Sequence, residues 1–195
     1  GTNDDNIIRN NLIHDKGGNP GSQGPQGIQA VGAGASSDVI SILNNIVYNI
    51  VETSGDHSAA ININQWGGIS YLYNNTIYNI TSNGGSKYAY GFLFGTPTGA
   101  TANVKNNLVA QLNGAQGRAY YKGSSGATAN TANNLSDDTS HATYDAEDMA
   151  QSLNDSSSLI GKTLAEISFV STTVGSEDLH IGTALSVCNM AGVDL

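Results

Sequence analysis

The sequence predicts an all-β solenoid, a single ribbon of chain wound into stacked coils, and three observations carry that prediction. The dipeptide Asn-Asn recurs at Asn10-Asn11, Asn44-Asn45, Asn74-Asn75, Asn106-Asn107 and Asn133-Asn134, the second Asn advancing in steps of 34, 30, 32 and 27 residues. Periods of roughly 20 to 50 residues mark repeat architectures. Apolar residues alternate around each pair: Ile8, Ile42, Leu72, Val104 and Thr131 stand three before the second Asn, and Ile13, Val47, Ile77, Val109 and Ser136 two after it. A period of two is that of a strand, not a helix. A further strand-like run lies midway between the pairs, at 27–32, 60–66, 90–95 and 119–123.

Each copy therefore reads strand, loop, strand, Asn turn, strand, loop. Asn supplies the turn because its short amide bonds to nearby backbone and tolerates positive φ. In coils stacked about 4.8 Å apart, the second Asn of each pair (Asn11, Asn45, Asn75, Asn107, Asn134) forms an inward ladder of amides. Such a ladder satisfies polar groups whose burial otherwise costs free energy. The column Asp15, Asn49, Asn79, Gln111 and Asp138 reads as a second polar stack at the next bend. A propeller blade needs about 40 residues and its own motif, and disorder is inconsistent with aliphatic columns in register. The coils occupy 1–138; residues 139–195 form a cap or tail, with a short helix near 144–154 and final strand-like segments.

The register N-x-I-x-N-N-x-I-x-N, covering roughly residues 3–138, resembles the parallel β-helix family of pectate lyases, polygalacturonases and phage tailspikes. The resemblance implies a right-handed single-stranded parallel β-helix with three strands per coil and about five coils, the last less regular. Asp178-Leu179-His180-Ile181, with Ser186, Ala191 and Gly192, is similar to the closing segment of secreted bacterial members, although Val187-Cys188-Asn189-Met190 departs from it. That likeness implies an extracellular or cell-surface setting and a structural, outward His180. It does not imply an activity, because one scaffold hosts many.

Composition narrows the partners. The 195 residues are 38% hydrophobic and 12% charged, with 24 Gly and a formal charge of −9. No basic stripe is present, so nucleic acid and anionic membrane surfaces are disfavoured, and an anionic polysaccharide would need a bridging calcium. No membrane span or leader is evident, and Cys188 stands alone, so no intrachain disulfide forms. The chain opens inside a coil, GTNDDNIIRNN, which suggests a piece of a longer protein or one whose ends stack on neighbours. The N-x-S/T matches at Asn74, Asn79, Asn134 and Asn154 follow from composition, and a glycan at Asn134 would not fit the ladder.

Chemistry is sparse. A pectate-lyase centre needs clustered carboxylates, calcium and a basic side chain, whereas a hydrolase needs paired acids on neighbouring coils. The only arginines are Arg9 and Arg118, and neither is set beside a carboxylate cluster. Asp15, Asp56 and His57 are the catalytic candidates, Asp56-His57 being the one acid-base neighbour pair in a loop. The outward column His14, Tyr48 and Tyr78 reads as an aromatic strip for sugar rings, with Trp66 as a second platform. No metal site or cofactor is expected, apart from calcium in a lyase.

The expected function is thus a non-catalytic extracellular β-helix scaffold that presents a carbohydrate-binding face to a polysaccharide or surface glycan. A polysaccharide lyase or glycoside hydrolase with active coils partly outside this chain is the enzymatic alternative. A self-assembling fibre subunit, built by end-to-end association, is the structural one.

Overall fold

The computed structural model describes residues 5–18, 24–32, 38–53, 55–64, 67–84, 87–95, 99–114, 116–123, 126–137 and 157–182. The sequence-expected helix at 144–154, together with Trp66, Asp138 and Cys188, lies outside them. Each coil begins with a five-residue strand that ends at an Asn pair: β1 (Asp5–Arg9), β4 (Val39–Leu43), β7 (Ile69–Tyr73), β10 (Thr101–Lys105) and β13 (Thr128–Ala132). After the turn come β2 (Leu12–Gly17), β5 (Ile46–Glu52), β8 (Thr76–Ser82), β11 (Leu108–Asn113) and β14 (Leu135–Ser136). The third strands are β3 (Gln26–Val31), β6 (Ser58–Asn64), β9 (Tyr88–Gly95) and β12 (Gln116–Lys122). They begin one to three residues earlier than the apolar runs suggested, at polar or aromatic residues that the hydrophobic pattern does not register.

Equivalent strands pair in parallel, in the orders β1-β4-β7-β10-β13, β14-β11-β8-β5-β2 and β12-β9-β6-β3. The chain is a parallel β-solenoid with three sheets. The four-stranded third sheet counts about four complete turns, with β13 and β14 starting a fifth. The expected columns face inward: Ile42, Leu72 and Val104 from the first sheet and Val47, Ile77 and Val109 from the second are all fully buried. Phe92 stacks on Tyr120 from the third, with ring centroids 5.3 Å apart. Small residues at Gly27, Ala60, Gly91 and Ala119 share one register position where the third strands bend inward. A Cβ built on Gly91 would lie 2.5 Å from the Ala119 carbonyl, so Gly91 could gain a side chain only if the backbone shifted, whereas Ala60 and Ala119 show that a methyl is the size the column holds elsewhere. Lysines close the two ends, Lys16 Nζ donating to the Gln26 carbonyl (2.7 Å) and Lys122 Nζ to that of Ala127 (3.0 Å). Their aliphatic stems line the coil while the ammonium groups reach backbone oxygen.

The two members of each Asn pair divide the work. The first adopts positive φ, between 52° and 58° at Asn10, Asn44, Asn74, Asn106 and Asn133, and bends the chain. Only glycine occupies that region without cost. Asn74→Gly is therefore expected to change stability by a few tenths of a kcal/mol, and Asn74→Ala to cost about 1 kcal/mol. Urea denaturation of the two variants checks the difference, and equal losses would contradict it.

The second member forms the ladder. Asn11 Nδ2 donates to Asn45 Oδ1, Asn45 to Asn75, Asn75 to Asn107 and Asn107 to Asn134, all at 3.0 Å. Each acceptor oxygen also takes the backbone N–H of the preceding coil's Asn, at 2.9–3.1 Å. The second Nδ2 proton reaches back one coil, to Ile8 O, Ile42 O, Leu72 O and Val104 O. Asn11 has no such neighbour among the described residues, and its amide bonds within its own coil, at Arg9 O. At the far end Ser157 and Ser158 substitute for a sixth pair, their hydroxyl oxygens accepting from the N–H groups of Asn133 and Asn134.

A second ladder runs outside the second sheet with the opposite polarity. Asn113 Nδ2 donates to Asn79 Oδ1, Asn79 to Asn49 Oδ1 and Asn49 to Asp15 Oδ1. Asp15, Asn49, Asn79 and Gln111 all have φ of 53–57° and bulge the strand, as the expected column required. Asn113 takes the place of Gln111 as the rung; the Gln111 backbone N–H donates to Asp137 Oδ2 (2.7 Å), and its side-chain oxygen is buried without a partner. A carboxylate ends this ladder for a simple reason: it accepts and cannot donate.

The described tail packs on the second sheet. Leu159 adds a parallel bridge beside Leu135. A short helix, α1 (Leu164–Ile167), follows, capped at Thr163 by a reciprocal capping box with Glu166. An antiparallel pair, β15 (Phe169–Ser171) and β16 (Asp178–Ile181), completes it.

Candidate functional site

The tail changes what the aromatic column is. His14 and Tyr48 stack as expected, with centroids 5.0 Å apart and planes 6° from parallel. Residues stacked along a solenoid axis point their ring faces at one another, so the column offers edges outward and not a flat platform. Tyr48 and Tyr78 are moreover only 8% and 5% exposed. They share a second apolar cluster with Leu108, Ala110, Leu135, Ile167 and Leu179, and Phe169 packs edge-on against Tyr78 at 5.6 Å. The open strip expected from the sequence is thus covered by the chain's own C-terminal segment, leaving His14 exposed at its end. The outward apolar residues Ile46, Leu108 and Leu135 were the available signal, since an apolar outer column calls for a cover.

Where the cover meets the first two coils it leaves an open-sided groove of about 420 Å³. Leu12, Ile46 and Tyr48 form its apolar floor; Asn10, Asn44, Glu177, Asp178 and His180 form its polar rim. Asn49 Nδ2 is bonded to both Asp15 Oδ1 (2.9 Å) and Glu177 Oε1 (2.8 Å), which ties β16's approach to the outer ladder. The amide hydrogen bond from Asn49 holds both carboxyls below their usual range, with His14 adding to the effect at Asp15 and the backbone N–H groups of Glu177 and Gly175 at Glu177. Asp178 is lowered by His180, whose Nδ1 lies 2.5 Å from its Oδ1. All three acids in and beside the groove are therefore ionised at neutral pH.

Asp15, Asp56 and His57 do not meet. Asp15 bonds to His14 and Asn49 on the second sheet, while Asp56 accepts the His57 backbone N–H and faces Lys87 at 3.9 Å in the β5–β6 loop. Glu52, fully buried, accepts from the Gly55 N–H and shapes the same loop. His57 instead belongs to a cluster that periodicity did not reveal. It stacks on Tyr88 at 5.3 Å, Tyr88 on Tyr90 at 5.5 Å, and Tyr90 lies 5.2 Å from Tyr121. The Arg118 guanidinium sits over both Tyr88 (4.5 Å) and Tyr121 (4.8 Å). These residues come from third strands and their loops, which no Asn pair keeps in register.

His57 Nδ1 accepts the Tyr88 backbone N–H at 3.0 Å, an arrangement that needs the neutral ring. Burial, then the nearby Lys87 charge, lowers its pKa. The unfolded chain thus takes up this proton first, so stability attached to His57 is complete above about pH 6.5 and falls as pH drops through that value toward the lower folded pKa. An NMR titration should place the His57 midpoint below about 6.5. A midpoint at or above it would contradict the assigned hydrogen bond.

Among the described residues no group of three or more His, Cys, Asp or Glu side chains is placed to hold a metal ion, and no helix is long and apolar enough to cross a membrane. No protein-family model, curated protein or solved structure matches the chain.

Proposed function

We propose that the chain is a non-catalytic scaffold of an extracellular or cell-surface protein, and that the groove between its first two Asn turns and β16 holds a sugar unit of a glycan. The groove carries this reading. Its volume, about 420 Å³, is within the range of about 300 to 1,000 Å³ usual for small-ligand sites. An apolar floor beneath a rim of amides and carboxylates suits the two faces of a pyranose, C–H groups below and hydroxyls at the edge. The rim contains Glu177 and Asp178 but no Lys or Arg, so it favours a neutral or amino sugar over a uronate. Carboxylates kept ionised accept hydrogen bonds from hydroxyls; a glycosidase needs one of its pair kept protonated as general acid.

A glycan array read beside reducing-end release from a polysaccharide panel tests the reading. Retention of neutral or amino glycans without release is expected, weakened about tenfold by Asp178→Ala, as suits loss of one charged hydrogen bond. Release of reducing ends would replace the scaffold with the hydrolase or lyase reading. Failure to retain any glycan would remove the sugar from the proposal.

A further inference from the structure

Beside the groove the cover leaves another hollow on the second sheet. It holds about 290 Å³ and lies further along in the direction the strands run. Gly17 and Val51 form its floor, Val174 of the β15–β16 connection closes it on the cover side, and Asp15, Asn49 and Asn79 stand on its rim. Lys16 borders it, but its Nζ is engaged by the Gln26 carbonyl (2.7 Å). The hollow therefore repeats the chemistry of the groove, apolar below with amides and a carboxylate at the edge.

One hydrogen-bonded trio divides the two. Asn49 Nδ2 bonds to Asp15 Oδ1 and Glu177 Oε1; Glu177 lines the groove, while Asp15 and Asn49 line the hollow. On β5, Ile46 and Tyr48 serve the groove and Asn49 and Val51 the hollow. Their centres are thus about 10 Å apart along the strand, a span that one pyranose ring does not cover. Between them β2 presents His14 and Asp15, whose side chains are 42% and 66% exposed, which leaves a way past the trio on that side. The hollow also offers a donor: among the described hydrogen bonds Asn79 Nδ2 uses one of its two protons, on Asn49 Oδ1.

We propose that groove and hollow are two subsites of one glycan site, whose ligand is an extended β-1,4-linked oligosaccharide of three or more neutral or N-acetylated units. This rests on the glycan reading of the groove and adds a length and a linkage to it. One unit lies in the groove, one in the hollow, and one passes over His14 and Asp15 between them. Both subsites follow the line of β2 and β5, and equatorial linkages keep a pyranose chain straight enough to do the same, whereas axial linkages coil it away. Val174 and Glu177 belong to the one segment of the cover that borders both subsites. A ligand that needs this segment in place stabilises it by mass action.

NMR titration of the 195-residue chain with glucose, N-acetylglucosamine and the β-1,4-linked oligomers of each, up to the tetrasaccharide, reads the subsites directly. In at least one series the affinity should rise about tenfold or more from monosaccharide to trisaccharide, and less than about twofold from there to the tetrasaccharide. The trisaccharide should also slow hydrogen exchange across 174–180. Val51→Phe fills the hollow and should bring the trisaccharide down to the affinity of the monosaccharide, whose own binding in the groove is unchanged. Val174→Ala alters a side chain that is 82% exposed, so the fold is kept, and should weaken the trisaccharide about threefold. Affinity that stays level along both series, or oligomers indifferent to both variants, would overturn the second subsite and leave a sugar in the groove. Retention of other glycans with neither series bound would overturn the linkage and the proposal with it. Retention of no glycan would remove the sugar reading and this inference together.

Discussion

Replacing Asn75 with Ala is expected to remove about 3 to 6 kcal/mol of folding stability, a large part of the roughly 5 to 15 kcal/mol available to a domain of this kind. The size follows from the neighbours left behind. Asn75 is 1% exposed, and its amide serves the Ile42 carbonyl, Asn107 Oδ1, and both the backbone and side-chain N–H groups of Asn45. Removing it leaves buried donors and an acceptor without partners, each costing about 1 to 3 kcal/mol, where water cannot enter to replace it. Asn75→Asp retains an acceptor for Asn45 but cannot donate to Ile42 and adds a buried charge, so it is expected to be worse still. Asn11→Ala is the internal control: Asn11 is exposed and makes one link up the ladder, so water replaces it at a cost of about 1 kcal/mol or less. Urea midpoints for the three variants decide the matter. Equal losses at Asn11 and Asn75 would mean that the ladder contributes no more than any exposed amide.

The second large effect is expected at the C-terminal cover. Ile167, at the end of α1, is fully buried and sits in the cluster that seals Tyr48, Tyr78 and Leu108. Ile167→Ala should cost about 2 to 5 kcal/mol, the range for truncating a buried isoleucine. The loss should be local. The cover shares its apolar contacts with one outer sheet face and none of the inner core columns, so it opens as a unit before the coils unfold. Hydrogen exchange should show lost protection across 157–182 with β4 to β11 unchanged, together with new binding of a hydrophobic dye as Tyr48 and Tyr78 are uncovered. Uniform loss of protection along the chain would contradict a separable cover.

The inner architecture was legible because it is written in residues that repeat. Positive φ is reserved for few side chains, the strand period is two, and a buried amide must be matched by another in the next coil. Those constraints act on Asn10-Asn11 and on each later pair alike, and they fix the register of the first and second sheets. The outer surface obeys no such rule. Tyr48 reads the same in sequence whether solvent or Leu179 lies over it, and the two are 131 residues apart in the chain. Only the run of apolar residues at Ile46, Leu108 and Leu135 hinted that something covers that face. The cluster of His57, Tyr88, Tyr90, Arg118 and Tyr121 was hidden for a related reason: four members stand on β9 and β12 and His57 just before β6, and the loops that lead into these third strands differ in length, so their spacing in sequence does not repeat. The groove could not be foreseen, because it is made by Glu177, Asp178 and His180 meeting Asn10 and Asn44 across most of the chain.

The fold rests on amides stacked inside a parallel solenoid, and hydrogen exchange of the Asn side chains observes them individually. The Nδ2 protons of Asn45, Asn75, Asn107 and Asn134 should exchange only through unfolding of the coils, with scalar couplings across the hydrogen bonds to the Oδ1 of the following rung for the first three. Those of Asn10 and Asn11, which are exposed, should exchange rapidly. Rapid exchange at Asn75 and Asn107, with no coupling between them, would contradict the ladder and the register built on it.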